Sequence, residues 1–551
     1  MSASAKKKLR KEENAVQLTE KQLQAQKEAK KLKAYTTIFV AAIAVVLVVA
    51  LVIAGTTFYS NSGIKESKTI AAVVDGHEIN SVEMSYYYAD TLNNNYTRWS
   101  ETYGENMSLY LSLMGLDLTQ PLGDQEYIDG STWADYFIDT AISSAQSDQI
   151  LYEKAVAEGF TMTQETKDML ESTFSNMEMY AIVYGYSDVD SYMHAVYGPG
   201  ADLDSYRAYA EKSALASDYY NAYSENLVID DAAIRAYEAD KYDKYSSFSY
   251  ASYNLNYNYF LTGGTTDAEG NVTYTDEEKD AARLAAKTAA ESLPQCATVE
   301  ELNAAIANLK LGESAAAEAT VYTNNLYAYC SSNIQDWLAG SNRKAGDFTV
   351  VENVSTTADD AGVETSAVSG YTAYVFIDRN DNTDLMSNVR HILVGFEGGT
   401  TDENGSTTYS DEEKAATKKE AERILSLYET GEKTEESFAA LATSNSADTG
   451  SASNGGLIED IAEGEGLYVE PFATWSVDPA RVPGDTGIIE TVYGYHVMYY
   501  VGDDEMSYRD SMIHDEIHTN SVSEWYEGLL NSSVLEIKDT SLLNRNIVLS
   551  K

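Results

Sequence analysis

The sequence predicts a multidomain α+β protein: an N-terminal transmembrane helix, a mainly α-helical domain, and two related α+β domains, the first of them degenerate. Three observations carry this expectation. At 551 residues the chain is too long for a single core. No charge occurs over residues 34–58, and residues 38–54 are almost wholly apolar. A long motif, Gly263-Gly264-Thr265-Thr266-Asp267 through Tyr274-Thr275-Asp276-Glu277-Glu278-Lys279, returns 135 positions later as Gly398-Gly399-Thr400-Thr401-Asp402 through Tyr409-Ser410-Asp411-Glu412-Glu413-Lys414.

In chain order, residues 1–33 form a basic segment with ten Lys or Arg against four Glu, net +6. The apolar run that follows is long enough to cross a hydrocarbon core of ~30 Å as a helix. The flanking lysines place the basic segment in the cytoplasm, so the rest of the chain is expected outside the cytoplasmic membrane. A cleaved signal peptide is the competing reading, but its apolar region is typically ~7–15 residues, and the small-x-small cleavage pattern is poor here. The expectation is an uncleaved single-pass anchor at 34–58, with the lipid bilayer as a partner.

Net charge over the whole chain is −49, so everything after residue 33 carries −55. That excludes nucleic acid as a partner of the main body, because phosphate backbones require basic surface. The acidity is expected to serve solubility. Cys296 and Cys330 are the only cysteines, so no disulfide framework exists; whether the two pair stays open.

Ala72-Val73-Val74-Asp75-Gly76-His77-Glu78-Ile79 reads as a hairpin with an Asp-Gly turn, and Asn80-x-x-Glu83 caps the next helix. Helical periodicity continues over 141–158, 163–184, 203–227 and 230–242. A helical domain is therefore expected over 69–245, completed by the helical stretch within 504–545. Its tyrosines (Tyr86-Tyr87-Tyr88, Tyr219-Tyr220, Tyr223) either fill the core or offer amphipathic surface for varied peptides.

The repeat places two copies of one fold at 246–382 and 383–503. Trp337 matches Trp475, Gly346-Asp347 matches Gly484-Asp485, and Gly370-Tyr371 matches Gly494-Tyr495. On this alignment His391 corresponds to Asn256 and His496 to Thr372, so the first copy lacks both histidines.

The second copy opens with Val389-Arg390-His391-Ile392-Leu393-Val394, which alternates like a half-buried strand. A helix follows from the capping box Ser410-x-x-Glu413. Then come Ser437-Phe438-Ala439-Ala440-Leu441-Ala442, the loop Asn445-Ser446-Ala447-Asp448-Thr449-Gly450 running to Gly455-Gly456-Leu457, Glu470-Pro471-Phe472, and Gly487 to Met498 with Thr491-Val492-Tyr493-Gly494-Tyr495-His496. In that order these pieces resemble the parvulin family of peptidyl-prolyl cis/trans isomerases. The phrases Gln149 to Phe160 and Ile229 to Tyr237 look like the helical domain of SurA- and PrsA-type foldases, which in that family cradles unfolded chains.

The resemblance implies roles. His391 and His496 match the family's paired histidines, Thr491 a hydroxyl residue bonded to them, and Asp448 the Cys or Asp beside the substrate carbonyl. Leu457, Tyr468 and Phe472 fall at proline-pocket positions, with Tyr468 departing from the commoner Met; Tyr493 replaces a small hydroxyl residue. Isomerisation needs no nucleophile, metal or cofactor, so none is expected. It needs tighter binding of the twisted amide than of either planar form. The loop Glu397 to Gly405 holds three acidic residues and no basic one, which predicts no preference for phosphorylated Ser/Thr-Pro. The implied function is a membrane-anchored extracytoplasmic foldase for secreted polypeptides with X-Pro bonds. A non-catalytic holdase is the alternative, and an adhesin-like surface protein is a third class. His514 and His518 have zinc-compatible i, i+4 spacing, but no third ligand is evident and no metal is expected.

Overall fold

The computed structural model of the chain describes residues 63–238, 242–267, 270–312, 314–358, 364–402, 405–462 and 468–549. The anchor expected at 34–58 lies outside them. Among the described residues no helix is long and apolar enough to cross a membrane. The architecture is mixed α+β, and the described residues fall into two compact units, 63–229 with 517–549, and 230–516.

The first unit is mainly helical. Strands β1 (Ile70–Val74) and β2 (His77–Asn80) form the expected hairpin, turning at Asp75 and Gly76, both with positive φ. Helices α1 (Ser81–Tyr103), α2 (Trp133–Ala157), α3 (Gln164–Val183), α4 (Val189–Tyr197) and α5 (Leu203–Glu225) follow. Asn80 caps α1 by accepting the Glu83 N–H, as its spacing predicts. The tyrosines split between the two roles open to them. Tyr86, Tyr87, Tyr88 and Tyr219 are buried in the core, whereas Tyr223 stacks flat on Trp525 at 3.7 Å. A C-terminal strand, Leu535–Ile537, pairs antiparallel with β1 and completes a three-stranded sheet.

The second unit holds two four-stranded antiparallel sheets of one plan. In the first, β3 (Ser247–Asn256) is followed by α6 (Asp276–Ser292), α7 (Val299–Leu309), β4 (Thr320–Leu326), β5 (Phe348–Ala358) and β6 (Glu364–Asn380), giving the order β4-β3-β6-β5. In the second, β7 (Leu385–Gly395) is followed by α8 (Asp411–Thr430), α9 (Glu435–Asn445), β8 (Leu457–Ile461), α10 (Glu470–Ser476), β9 (Thr486–Thr491) and β10 (Gly494–Ser507). Its order, β8-β7-β10-β9, repeats the first. Helix α11 (Tyr508–Ser532) comes last.

The repeated motif has one physical design in both copies. Thr275 and Ser410 cap α6 and α8 in full capping boxes with Glu278 and Glu413. The same carboxylates also accept the N–H of Gly264 and Gly399, at 3.0 and 2.8 Å. Gly263 and Gly398 have φ of +87° and +83°, a conformation that favours glycine, and a Cβ there would lie 2.4 Å from that carboxylate oxygen. Arg343 and Arg481 lie over Trp337 and Trp475, each 3.8 Å from the ring centroid.

Strand register corrects one correspondence. Gly370 pairs with Asn256, and Gly494 pairs with Gly395. Four residues along each ladder, Tyr374 faces Ser252 and Met498 faces His391. The counterpart of His391 is therefore Ser252, not Asn256. The 135-residue offset fails at the strands because the first copy inserts a 3₁₀ turn, Tyr257–Phe260, between its first strand and the Gly-Gly turn. Thr372 does occupy the place of His496. Cys296 and Cys330 are both buried and unpaired, in separate hydrophobic clusters.

Candidate active site

Alternation along β7 and β10 gives the second sheet two different faces. Ile392, Tyr495, Val497 and Tyr499 point into a cluster with Ala421 and Ile424 of α8 and Phe438 and Ala442 of α9. Val389, Met498 and Tyr500 point the other way and meet Ile458 of β8 and Phe472 of α10. His391 and His496 share the parity of this second set. Both faces being covered, the two imidazoles are buried, at 2% and 5% exposure.

Buried imidazoles require partners for all ring nitrogens, and these have them. His391 Nδ1 lies 3.0 Å from His496 Nδ1, with the rings stacked at 5.2 Å. His391 Nε2 lies 2.9 Å from Asp448 Oδ2 and 3.0 Å from Ser451 Oγ. His496 Nε2 lies 3.0 Å from Thr491 Oγ1, which also accepts the Tyr493 N–H at 3.2 Å. The four sequence-predicted catalytic residues thus form one buried line: Thr491, His496, His391, Asp448.

Asp448 is placed by backbone. The Ala447 N–H donates to the Leu393 carbonyl at 2.8 Å, and Ser446 Oγ accepts from the N–H of both Leu393 and Asp448, which aligns the loop along β7. Arg390 closes the loop's far end. Its Nη1 donates to the carbonyls of Asn454 and Gly455, and its Nε donates to Glu435 at 2.9 Å. Gly456 accepts the His391 N–H at 2.8 Å with φ +71, and a Cβ there would sit 2.2 Å from the His391 carbonyl oxygen. Only glycine permits so close an approach.

The charge state follows from these contacts. Burial by itself would push the Asp448 carboxyl up. Hydrogen bonds from His391, Ser451 and the Gly450 N–H outweigh it and hold the group well below the usual carboxylate range. Burial, reinforced by the neighbouring His391 ring, pushes His496 well below the ordinary histidine value, so it is neutral. An ionised Asp448 only accepts, so His391 Nε2 carries a proton. One of the facing Nδ1 atoms donates to the other, and Thr491 Oγ1 lies within hydrogen-bond distance of both His496 Nε2, at 3.0 Å, and the Gly494 carbonyl, at 3.4 Å.

The remaining sequence-predicted residues are placed less uniformly. Phe472 is 3% exposed and stands steeply inclined to both imidazoles, its ring centroid 5.2 Å from that of His391 and 5.4 Å from that of His496. Tyr468 stacks on Phe472 at 5.6 Å and is half-buried. Leu457, also half-buried, starts β8 immediately after Gly456. Tyr493 sits at the turn between β9 and β10, 44% exposed, and is joined to the buried line through its backbone N–H. Ser451 and Arg390 were missed by sequence reasoning. The only signal for Ser451 was its place three residues after Asp448, in a loop rich in serine. That for Arg390 was its adjacency to His391.

This segment matches the family model of the rotamase, PPIC-type PPIase domain over residues 391–502. Residues 391–502 are a parvulin-type peptidyl-prolyl cis/trans isomerase domain. The isomerase domain spans all four residues of the buried line. Among solved structures, the peptidylprolyl isomerase PrsA of Bacillus anthracis is 20% identical, with a TM-score of 0.17, over 28% of this chain and 59% of that one. The two SurA-like chaperones PEB4 and Cj1289 of Campylobacter jejuni are described together for a match of 21% identity and TM-score 0.15, over 28% of this chain and 57% of that one. The chain therefore spans less than two thirds of either structure's length. No curated protein matches it.

His514 and His518 are not brought together on a third ligand. His518 Nε2 donates to the Ser224 carbonyl at 2.7 Å, and the carboxylate of Glu516 between them accepts from Tyr237 and Tyr245.

Proposed function

We propose that this protein is a membrane-anchored extracytoplasmic foldase, which isomerises X-Pro bonds in secreted polypeptides and holds them while unfolded. The observation that carries the reading is the 3.0 Å contact between His391 and His496 inside the isomerase domain, with Asp448 and Thr491 at its two ends. The isomerase domain is taken as 383–503, the silent copy as 246–382, and the client-holding helical domain as 69–245 with 504–545. The basic segment 1–33 lies in the cytoplasm and 34–58 is the anchor.

Amide resonance sets a barrier of ~18–20 kcal/mol to rotation about the peptide bond. About 4 kcal/mol of preference for the twisted amide accelerates the exchange roughly a thousandfold. Resonance in the planar amide puts negative charge on the carbonyl oxygen, and twisting removes it. An ionised Asp448 beside that oxygen raises the planar form relative to the twisted one. The histidine pair keeps Asp448 ionised and oriented and keeps the Thr491 hydroxyl directed. Leu457, Tyr468, Phe472 and Tyr493 receive the proline side of the substrate. The first copy, with Ser252 and Thr372 in place of the histidines, contributes binding or spacing without catalysis.

The test is a His391→Ala/His496→Ala double variant assayed on a proline-limited refolding client. The reading requires loss of prolyl turnover while suppression of client aggregation persists. Undiminished turnover would overturn the assignment of the site. Loss of aggregation suppression alongside turnover would overturn the division of labour between the domains.

A further inference from the structure

Ser451 has no part in the roles just assigned, yet it is fully buried at the centre of the site. Its Oγ lies 2.5 Å from Asp448 Oδ2 and 3.0 Å from His391 Nε2. An ionised carboxylate only accepts, so the serine hydroxyl donates to Asp448. Its free lone pairs face the His391 Nε2–H, which is thereby shared between the carboxylate and the hydroxyl. The serine comes to this place by a tight turn. The Gly450 N–H donates to Asp448 Oδ1 at 3.1 Å, and the Ala452 N–H donates to the Asp448 carbonyl at 2.9 Å. Both carboxylate oxygens are then engaged, one by backbone and one by Ser451 with His391.

We propose that Ser451 is a positioning residue of the isomerase centre: its hydroxyl, shared between Asp448 and His391, holds the carboxylate and the ring in one orientation. The inference rests on the proposed roles of Asp448 and the histidine pair. Without the hydroxyl, Oδ2 keeps only the His391 bond, and that bond and the Gly450 contact alone orient the carboxylate. A charge-assisted hydrogen bond is also lost, so Asp448 protonates at higher pH. Orientation and ionisation of Asp448 therefore depend on a residue that need not touch the substrate.

The experiment compares Ser451→Ala with the parent chain in prolyl isomerisation across pH, with Ser451→Cys as a second variant that keeps the side-chain size. The expected result is a fall in kcat/KM of roughly tenfold at neutral pH with KM changed less than about twofold, since the loss falls on the transition state. The acid limb of the pH profile moves up by about one pH unit. Ser451→Cys, a weak donor, falls between. Unchanged kcat/KM and an unmoved acid limb in whichever variant folds would overturn the proposal and leave Ser451 as loop filling. Unchanged turnover in the His391→Ala/His496→Ala variant would instead refute the underlying assignment of the site.

Discussion

Each of His391 and His496 satisfies the other, and that mutual dependence has a measurable signature. Removing one ring leaves a buried nitrogen of its neighbour without a partner, which costs ~1–3 kcal/mol. Removing both leaves fewer orphaned groups than two separate losses would. We therefore expect the stability losses of His391→Ala and His496→Ala to add to more than the loss of the double variant, with a coupling of at least ~0.5 kcal/mol. Denaturant unfolding of the four chains measures it, and strict additivity would mean the rings are not bonded to one another. Tyr468 has a separate consequence for binding. It stacks on Phe472, so in the proposed pocket a proline ring either stacks against Tyr468 or displaces it. Under the proposed role in proline binding, Tyr468→Ala should change KM at least severalfold while kcat moves much less, since such a contact is made in ground and transition states alike. Equal loss in kcat and kcat/KM would place Tyr468 at the rotating bond instead.

Among elements, β7 was legible as a strand from the alternation of Val389 to Val394, but that alternation reads as half-buried, whereas the fold covers both its faces. Two of six histidines falling at both positions of the family pattern was already an unusual coincidence. The hairpin of β1 and β2 and the capping boxes were legible for local reasons, since Asp75-Gly76, Thr275 and Ser410 act within a few residues of themselves. Ser451 was not legible. Its role depends on a loop being laid along β7 by Ala447, Ser446 and Arg390, and no local pattern encodes that. The misplacement of Asn256 opposite His391 has an equally plain cause. A constant offset cannot hold across a copy that inserts a 3₁₀ turn early and lengthens the hairpin between β5 and β6 late.

The helical unit carries a pH prediction that sequence gave no hint of. Asp90 on α1 and Asp148 on α2 are both raised to about 6, chiefly by burial, with Tyr209 donating to Asp90 at 2.6 Å. Nearby, Lys212 on α5 pairs with Glu83 and donates to Gln149. A carboxyl whose value is higher folded than unfolded (about 3.9) binds more protons in the native state between those values. Its contribution therefore favours folding in acid and is lost as pH rises from about 4 to about 6. Asp90→Asn/Asp148→Asn should slow amide exchange in α1, α2 and α5 at pH 7 and above relative to the parent, with the difference shrinking towards pH 4. Faster exchange at pH 7 would show that the charged forms are needed.

For the whole molecule, the decisive contrast is between a short basic segment of net +6 and a body of −55. A body so charged resists self-association and is not drawn to an anionic lipid surface, so in the proposed arrangement attachment to a membrane falls to residues 1–58, with 34–58 as the anchor. High salt should leave the full chain in the membrane fraction, whereas deletion of residues 34–58 should release it with prolyl turnover unchanged. Release of the full chain by salt alone would mean a peripheral, electrostatic attachment.

An isomerase domain that carries its own working centre is detected by exchange NMR on a short X-Pro peptide. With the parent chain at substoichiometric concentration, cis and trans resonances should show exchange far faster than the spontaneous ~10–100 s. That acceleration should vanish in the His391→Ala/His496→Ala chain, because Ser252 and Thr372 leave the first copy nothing to substitute with. Peptide exchange at the spontaneous rate with the folded parent chain would contradict the account.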